Sequence, residues 1–121
     1  MKTLAQRLVA CPRFRWMPGM LTGTTLRVLH IGEDGWLHIA NQDGCSEFAP
    51  ETIAAFGVDL TDPATIGLLE HLTREAYKDD DLYCAPVDEE RSWWGIFSAN
   101  APRGLGGKSR VEALVAALEA P

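Results

Sequence analysis

Long apolar runs are missing from this 121-residue chain. No stretch approaches the roughly 18 uninterrupted apolar residues of a membrane-spanning helix, and the opening Met1-Lys2-Thr3-Leu4-Ala5-Gln6-Arg7 lacks the h-region of about 7–15 apolar residues that a secretory leader needs. Membrane spanning and secretion are therefore not expected, and a cytoplasmic location is. Cysteine is scarce: Cys11, Cys45 and Cys84 are odd in number and far apart, which argues against a disulfide framework and suits a reducing compartment. Acid is absent from residues 1–32, which hold five bases, whereas residues 33–101 hold fifteen acids against three bases, a balance of −12, and the whole chain carries −6. An acidic protein repels phosphate at long range, so direct nucleic-acid binding is not expected. The plainer reading of the charge is a solvated surface.

What is present suffices to fold. Apolar residues make up 46% and charged residues 23% of the chain, the balance of a globular protein, and this length is that of a single domain spanning 1–121. Thr3-Leu4-Ala5-Gln6 reads as a capping box ahead of a short helix that Pro12 stops. Residues 13–20 read as a packed loop or short edge strand around the turn Pro18-Gly19. Thr24–Ile31 and Trp36–Ala40 flank a turn containing Asp34-Gly35 and predict a β-hairpin; Asn41-Gln42-Asp43-Gly44 marks another turn. Ala49–Phe56 suits a short helix with Pro50 early and Gly57 at its end. Asp62-Pro63 opens the main helix, where Ile66, Leu69, Leu72 and Ala76 recur at helical spacing; Gly67 inside it suggests close packing over its backbone. Leu82–Val87 and Ser92–Ser98 form a second hairpin, with Pro86 placing its strand at an edge or a bulge. Ser109-Arg110-Val111-Glu112 caps a last helix, which must dock on the sheet because about 11 residues are marginal alone. The fold expected is α+β, an antiparallel sheet built from two hairpins with helices packed mainly on one face, in the order α-ββ-α-ββ-α.

Several strings imitate known sites without completing them. Gly104-Leu105-Gly106-Gly107-Lys108-Ser109 suggests a phosphate-binding loop, but Pro102 stands where the first glycine belongs, and a flexible connection that lets Ser109 cap the last helix explains the same residues. Glu70-His71 to Glu75 has the residue types of a zinc-protease helix in the wrong order, and His71 and Glu75 read as an i,i+4 pair. In the usual short-turn registers His30 and His38 face opposite sides of their hairpin, which makes them poor candidates for one metal. Asp79-Asp80-Asp81 and Asp88-Glu89-Glu90 match no calcium loop and read as solvated turns. The thiols have no readable activating context. No cofactor, metal ligand or catalytic residue is assigned. Candidate contact residues remain: Trp93 and Trp94, adjacent on a strand, point to opposite faces, so one is core and the other an exposed anchor. Arg13, Arg15 and Trp16 could engage a carboxylate or phosphate surface by fork geometry and stacking.

The segments Asp59–Leu69, Glu112–Pro121 and Pro12–Met20 resemble small uncharacterised proteins encoded by tailed phages and prophages. The hairpins show no such likeness, and Leu68 stands where those proteins commonly have a cysteine, which puts a thiol role for that helix in doubt. The resemblance implies no assigned activity and transfers no catalytic residue. The lack of an assembled catalytic set and the segregated charge instead motivate the expectation of an accessory phage product whose partner is a host or phage protein, or a second copy of the chain. The functional expectation is a non-catalytic protein–protein interaction module. The alternatives are a small-molecule or nucleotide-binding domain or minor enzyme, with a pocket between sheet and helices, and an acidic mimic of nucleic acid.

Overall fold

A computed structural model describes residues 3–41 and 44–120. In chain order the elements are α1 (Leu4–Val9), β1 (Val28–Ile31), β2 (Leu37–Asn41), β3 (Gly44–Phe48), α2 (Pro50–Phe56), α3 (Pro63–Tyr77), β4 (Tyr83–Pro86), β5 (Trp94–Phe97), β6 (Gly106–Gly107) and α4 (Arg110–Glu119). The fold is mixed α+β, and its strands make two three-stranded antiparallel sheets, β1-β2-β3 and β4-β5-β6. Each hairpin thus takes a third strand from the chain that follows it instead of joining the other. A partner nearby in sequence costs less loop-closure entropy than a distant one. Two compact units divide the described residues: 15–68 form one, and 3–14 with 69–120 form the other.

In the unit of residues 15–68, Gly35 supplies the positive φ of the turn between β1 and β2. Val28, Leu37 and Ile39 point to the buried side of the sheet, and Met20, Ile53 and Val58 are buried as well. The register corrects one expectation. Val28 pairs with Ile39, but the next pairs are His30 with His38 and Ile31 with Leu37, so the register slips between Val28 and His30. Leu29 is the extra residue of a β-bulge. A bulge changes the parity of every later position, which sets both imidazoles on one face, their ring centroids 5.2 Å apart. The turn expected at Asn41–Gly44 includes Gln42 and Asp43, which lie outside the described residues. β3 continues the sheet, and Phe48 meets Phe56 of α2 edge to face at 5.9 Å.

α2 begins at Pro50, whose missing donor is not needed there, and stops at Gly57, with φ +73° and ψ −174°. α3 starts on Asp62, whose carboxylate accepts from the Thr65 N–H at 3.0 Å and the Thr65 hydroxyl at 2.8 Å. Arg27 donates to the same carboxylate at 2.7 and 3.2 Å and to the Gly19 carbonyl at 2.9 Å. One acid thereby caps a helix and anchors the chain ahead of β1. The expectation of close packing over Gly67 is not met: a Cβ there would meet nothing within 4 Å.

In the unit of residues 3–14 and 69–120, Thr3 and Gln6 form the reciprocal capping box of α1. α4 packs on β4, β5 and β6 and against α1, burying Ala113, Leu114, Val115, Ala117 and Leu118. Leu8, Cys11, Leu69, Leu72, Leu82 and Ile96 are buried as well. The Tyr77 hydroxyl, itself buried, donates to the Ala117 carbonyl at 2.7 Å. Ser109 accepts from the Glu112 N–H at 3.1 Å and so caps α4. The glycines before it are not slack linker. Gly106 and Gly107 pair with Gly95 and Trp94 as an edge strand, and a Cβ on Gly107 would stand 2.7 Å from Glu112 Cγ and 2.9 Å from the Ala113 nitrogen.

Candidate interaction surface

The outer face of the second sheet carries apolar residues that its own fold does not cover. On β4, strand alternation sends Tyr83, Ala85 and then Val87 to that side, while Leu82 is buried and Cys84 half-buried. Tyr83 pairs with Phe97 and Ala85 with Gly95 across the ladder. Opposed aromatics in an antiparallel pair are close enough to stack, and these rings lie 4.9 Å apart at 17°. Gly95 leaves room between its neighbours: a Cβ there would stand 3.0 Å from Val87 Cγ1 and 3.5 Å from the Phe97 ring. Trp93 lies over Gly106, its Nε1 2.7 Å from where a Cβ would be. Two glycines therefore permit a continuous layer of Tyr83, Phe97, Val87 and Trp93, which are 51%, 39%, 51% and 41% exposed.

Acid bounds this layer at both ends. Beside Tyr83 and Phe97, Asp79 accepts from the Ser98 hydroxyl at 2.5 Å and the Asp81 N–H at 3.0 Å. The Ser98 hydroxyl, seconded by the Asp81 N–H, holds the Asp79 carboxyl below the usual carboxylate range. Beside Val87 and Trp93, Asp88 accepts from the Ser92 hydroxyl and from the Ser92 N–H at 2.8 Å, and those bonds hold its carboxyl down too. Hydrogen bonds to the charged form favour it, so Asp79 and Asp88 are ionised at neutral pH. Asp80, Asp81, Glu89 and Glu90 are exposed alongside them.

No protein-family model, curated protein or solved structure matches the chain.

Geometry alone therefore sorts the residues singled out in the sequence. Trp93 and Trp94 do face opposite ways: Trp93 joins the exposed layer, and Trp94, half-buried, is on the side of Ile96. Arg13 sits with its guanidinium carbon 5.0 Å from the Tyr77 ring centroid, a cation–π contact inside its own unit. Arg15 is exposed and Trp16 half-buried, and both belong to the unit of residues 15–68. Tyr83, Phe97 and Val87 went unnoticed in the sequence, although alternation outward from Trp93 through Gly95 to Phe97 carries the signal.

Glu70 bridges Arg74, at 2.6 Å, and Arg110, and Arg74 Nε donates to the Leu82 carbonyl at 2.8 Å. Burial pushes the Cys84 thiol up to about 11, and burial likewise raises Cys11. Neither is poised as a nucleophile, since the thiolate is the reactive form. A shallow pocket of about 260 Å³ is lined by Arg7, Ala10, Cys11, Pro12 and Glu119, and Arg7 and Glu119 form an ion pair there. Among the described residues no group of three or more His, Cys, Asp and Glu side chains is set to hold a metal ion. No helix of the described residues is long and apolar enough to cross a membrane.

Proposed function

We propose that this chain is a protein–protein interaction module, an accessory product of the phage type its segments resemble, and that its contact surface is the Tyr83, Phe97, Val87 and Trp93 layer. One observation carries the reading: a stacked aromatic pair continuous with two more large apolar side chains stands in water between two acidic turns. Aromatic anchors ringed by polar groups are the usual composition of an energetic hot spot. The acid at both ends selects the partner's chemistry, an apolar segment with lysine or arginine on either side. A second copy of this chain would bring acid against acid across the same face, which disfavours self-association there.

A peptide-display selection with the whole protein as bait tests this. Recovered ligands should centre on apolar residues flanked by basic ones, bind at micromolar strength, and keep most of that affinity when salt is raised, because the centre of the contact is apolar. Ligands without apolar residues, or binding that collapses with salt, would refute the reading and favour mimicry of nucleic acid, whose binding is dominated by charge.

A further inference from the structure

The bulge at Leu29 creates a feature unconnected with the aromatic layer. His30 on β1 and His38 on β2 are direct cross-strand partners with ring centroids 5.2 Å apart and planes inclined at 53°. Two imidazoles bound to one tetrahedral zinc stand with ring centres roughly 5 Å apart, because each Zn–N bond is about 2.0–2.1 Å. The fold holds the two rings near that separation. His38 is also oriented. Its Nδ1 lies 3.5 Å from Glu47 Oε1 on β3, the residue paired with it across the ladder. Its Nε2 turns the other way, toward the β1 side, 3.3 Å from where a Cβ on Gly32 would stand. A carboxylate on one ring nitrogen that leaves the other free to ligate is the usual outer arrangement around a metal-binding histidine. Asp34 Oδ1 lies 2.8 Å from the same Gly32 position, so acid stands near the free nitrogen and favours a cation. Gly32 keeps the approach open, since a side chain there would fill it.

We infer that His30 and His38 form a two-imidazole chelate for a borderline divalent transition-metal ion, with Glu47 orienting His38 from outside the ligand shell and water completing the coordination. Imidazole donors select zinc, nickel or copper over calcium and magnesium. With two protein ligands the affinity is modest, in the micromolar range, and stoichiometry is one ion per chain. Cys45, exposed on β3, does not come together with the two histidines into a ligand group among the described residues, so it is not part of the site.

Zinc chloride titrated into the full chain by calorimetry decides the matter. The expected result is 1:1 binding that weakens tenfold or more in His30→Gln and in His38→Gln, and is unchanged in Cys45→Ser and in His71→Gln, which alters an exposed histidine on α3. Wild-type protein gives a reading that no variant's folding can confuse: imidazole proton resonances of His30 and His38 should shift together on adding zinc while those of His71 stay in place. Absence of 1:1 binding up to millimolar zinc, equal affinity in both histidine variants, or loss of binding in Cys45→Ser would each overturn the assignment.

Discussion

Replacing Tyr77 by phenylalanine should destabilise the protein by about 1 to 2 kcal/mol, the cost of leaving a buried acceptor without its donor. Tyr77 is 8% exposed, and its hydroxyl donates to the Ala117 carbonyl at 2.7 Å. Ala117 lies in the last turn of α4, where the final four carbonyls have no partner within the helical ladder. Phenylalanine keeps the ring, its buried area and the Arg13 contact, so the change isolates one hydrogen bond that ties α3 to α4. For a chain of this length the midpoint of thermal melting should fall by roughly 3–5 °C per kcal/mol. Urea denaturation of wild type, Tyr77→Phe and Tyr83→Phe measures the difference, with the exposed Tyr83 as reference. A Tyr77→Phe loss no greater than that of Tyr83→Phe would refute the claim that the hydroxyl satisfies the end of α4.

Gly67→Ala should stabilise the protein by about 0.5–1 kcal/mol, since a helix-interior glycine has open space at its Cβ position; a destabilised variant in the same assay would count against this. Asp62→Ala should cost about 1–2 kcal/mol through the lost cap of α3. The Arg27 guanidinium holds the Asp62 carboxyl below its usual range, so the folded state binds a proton there less readily than the unfolded one. Its stabilisation is present above the unfolded value of about 4 and is lost as pH falls through the lower folded value. Acid unfolding should therefore be shallower in Asp62→Asn, and an unchanged pH profile would contradict the assignment. Under native conditions an alkylating reagent should modify exposed Cys45 first, with Cys84 and Cys11 reacting after unfolding; mass spectrometry of early digests showing Cys84 modified first would contradict the burial described.

Much of the fold was legible because local rules agreed with the tertiary outcome. The capping box at Thr3, the Asp62-Pro63 start of α3, the Asp34-Gly35 turn and the edge position of Pro86 all appear where their chemistry places them. β3 and β6 were not legible. Gly44–Phe48 and Gly106–Gly107 have little β-propensity, and they become strands because a neighbouring edge offers unpaired backbone groups. The bulge at Leu29 was invisible for a related reason. Nothing in Val28-Leu29-His30 marks an extra residue, and the choice is made by which side chains the buried face accepts. That one residue decides whether the two histidines meet. Of the candidate surface, alternation told only that one of Trp93 and Trp94 is exposed; which one, and its joining to Tyr83, Phe97 and Val87, depended on cross-strand register.

The proposed partner site is the aromatic layer of the second sheet. Affinity of a display-selected ligand for the wild type should be compared with that for Phe97→Ser and for Trp36→Ser, another exposed aromatic that lies in the other unit. Truncating a hot-spot aromatic costs about 2 kcal/mol or more, roughly 30-fold in Kd. A loss of that order in Phe97→Ser with none in Trp36→Ser is the predicted result; equal affinity in wild type and Phe97→Ser would contradict it.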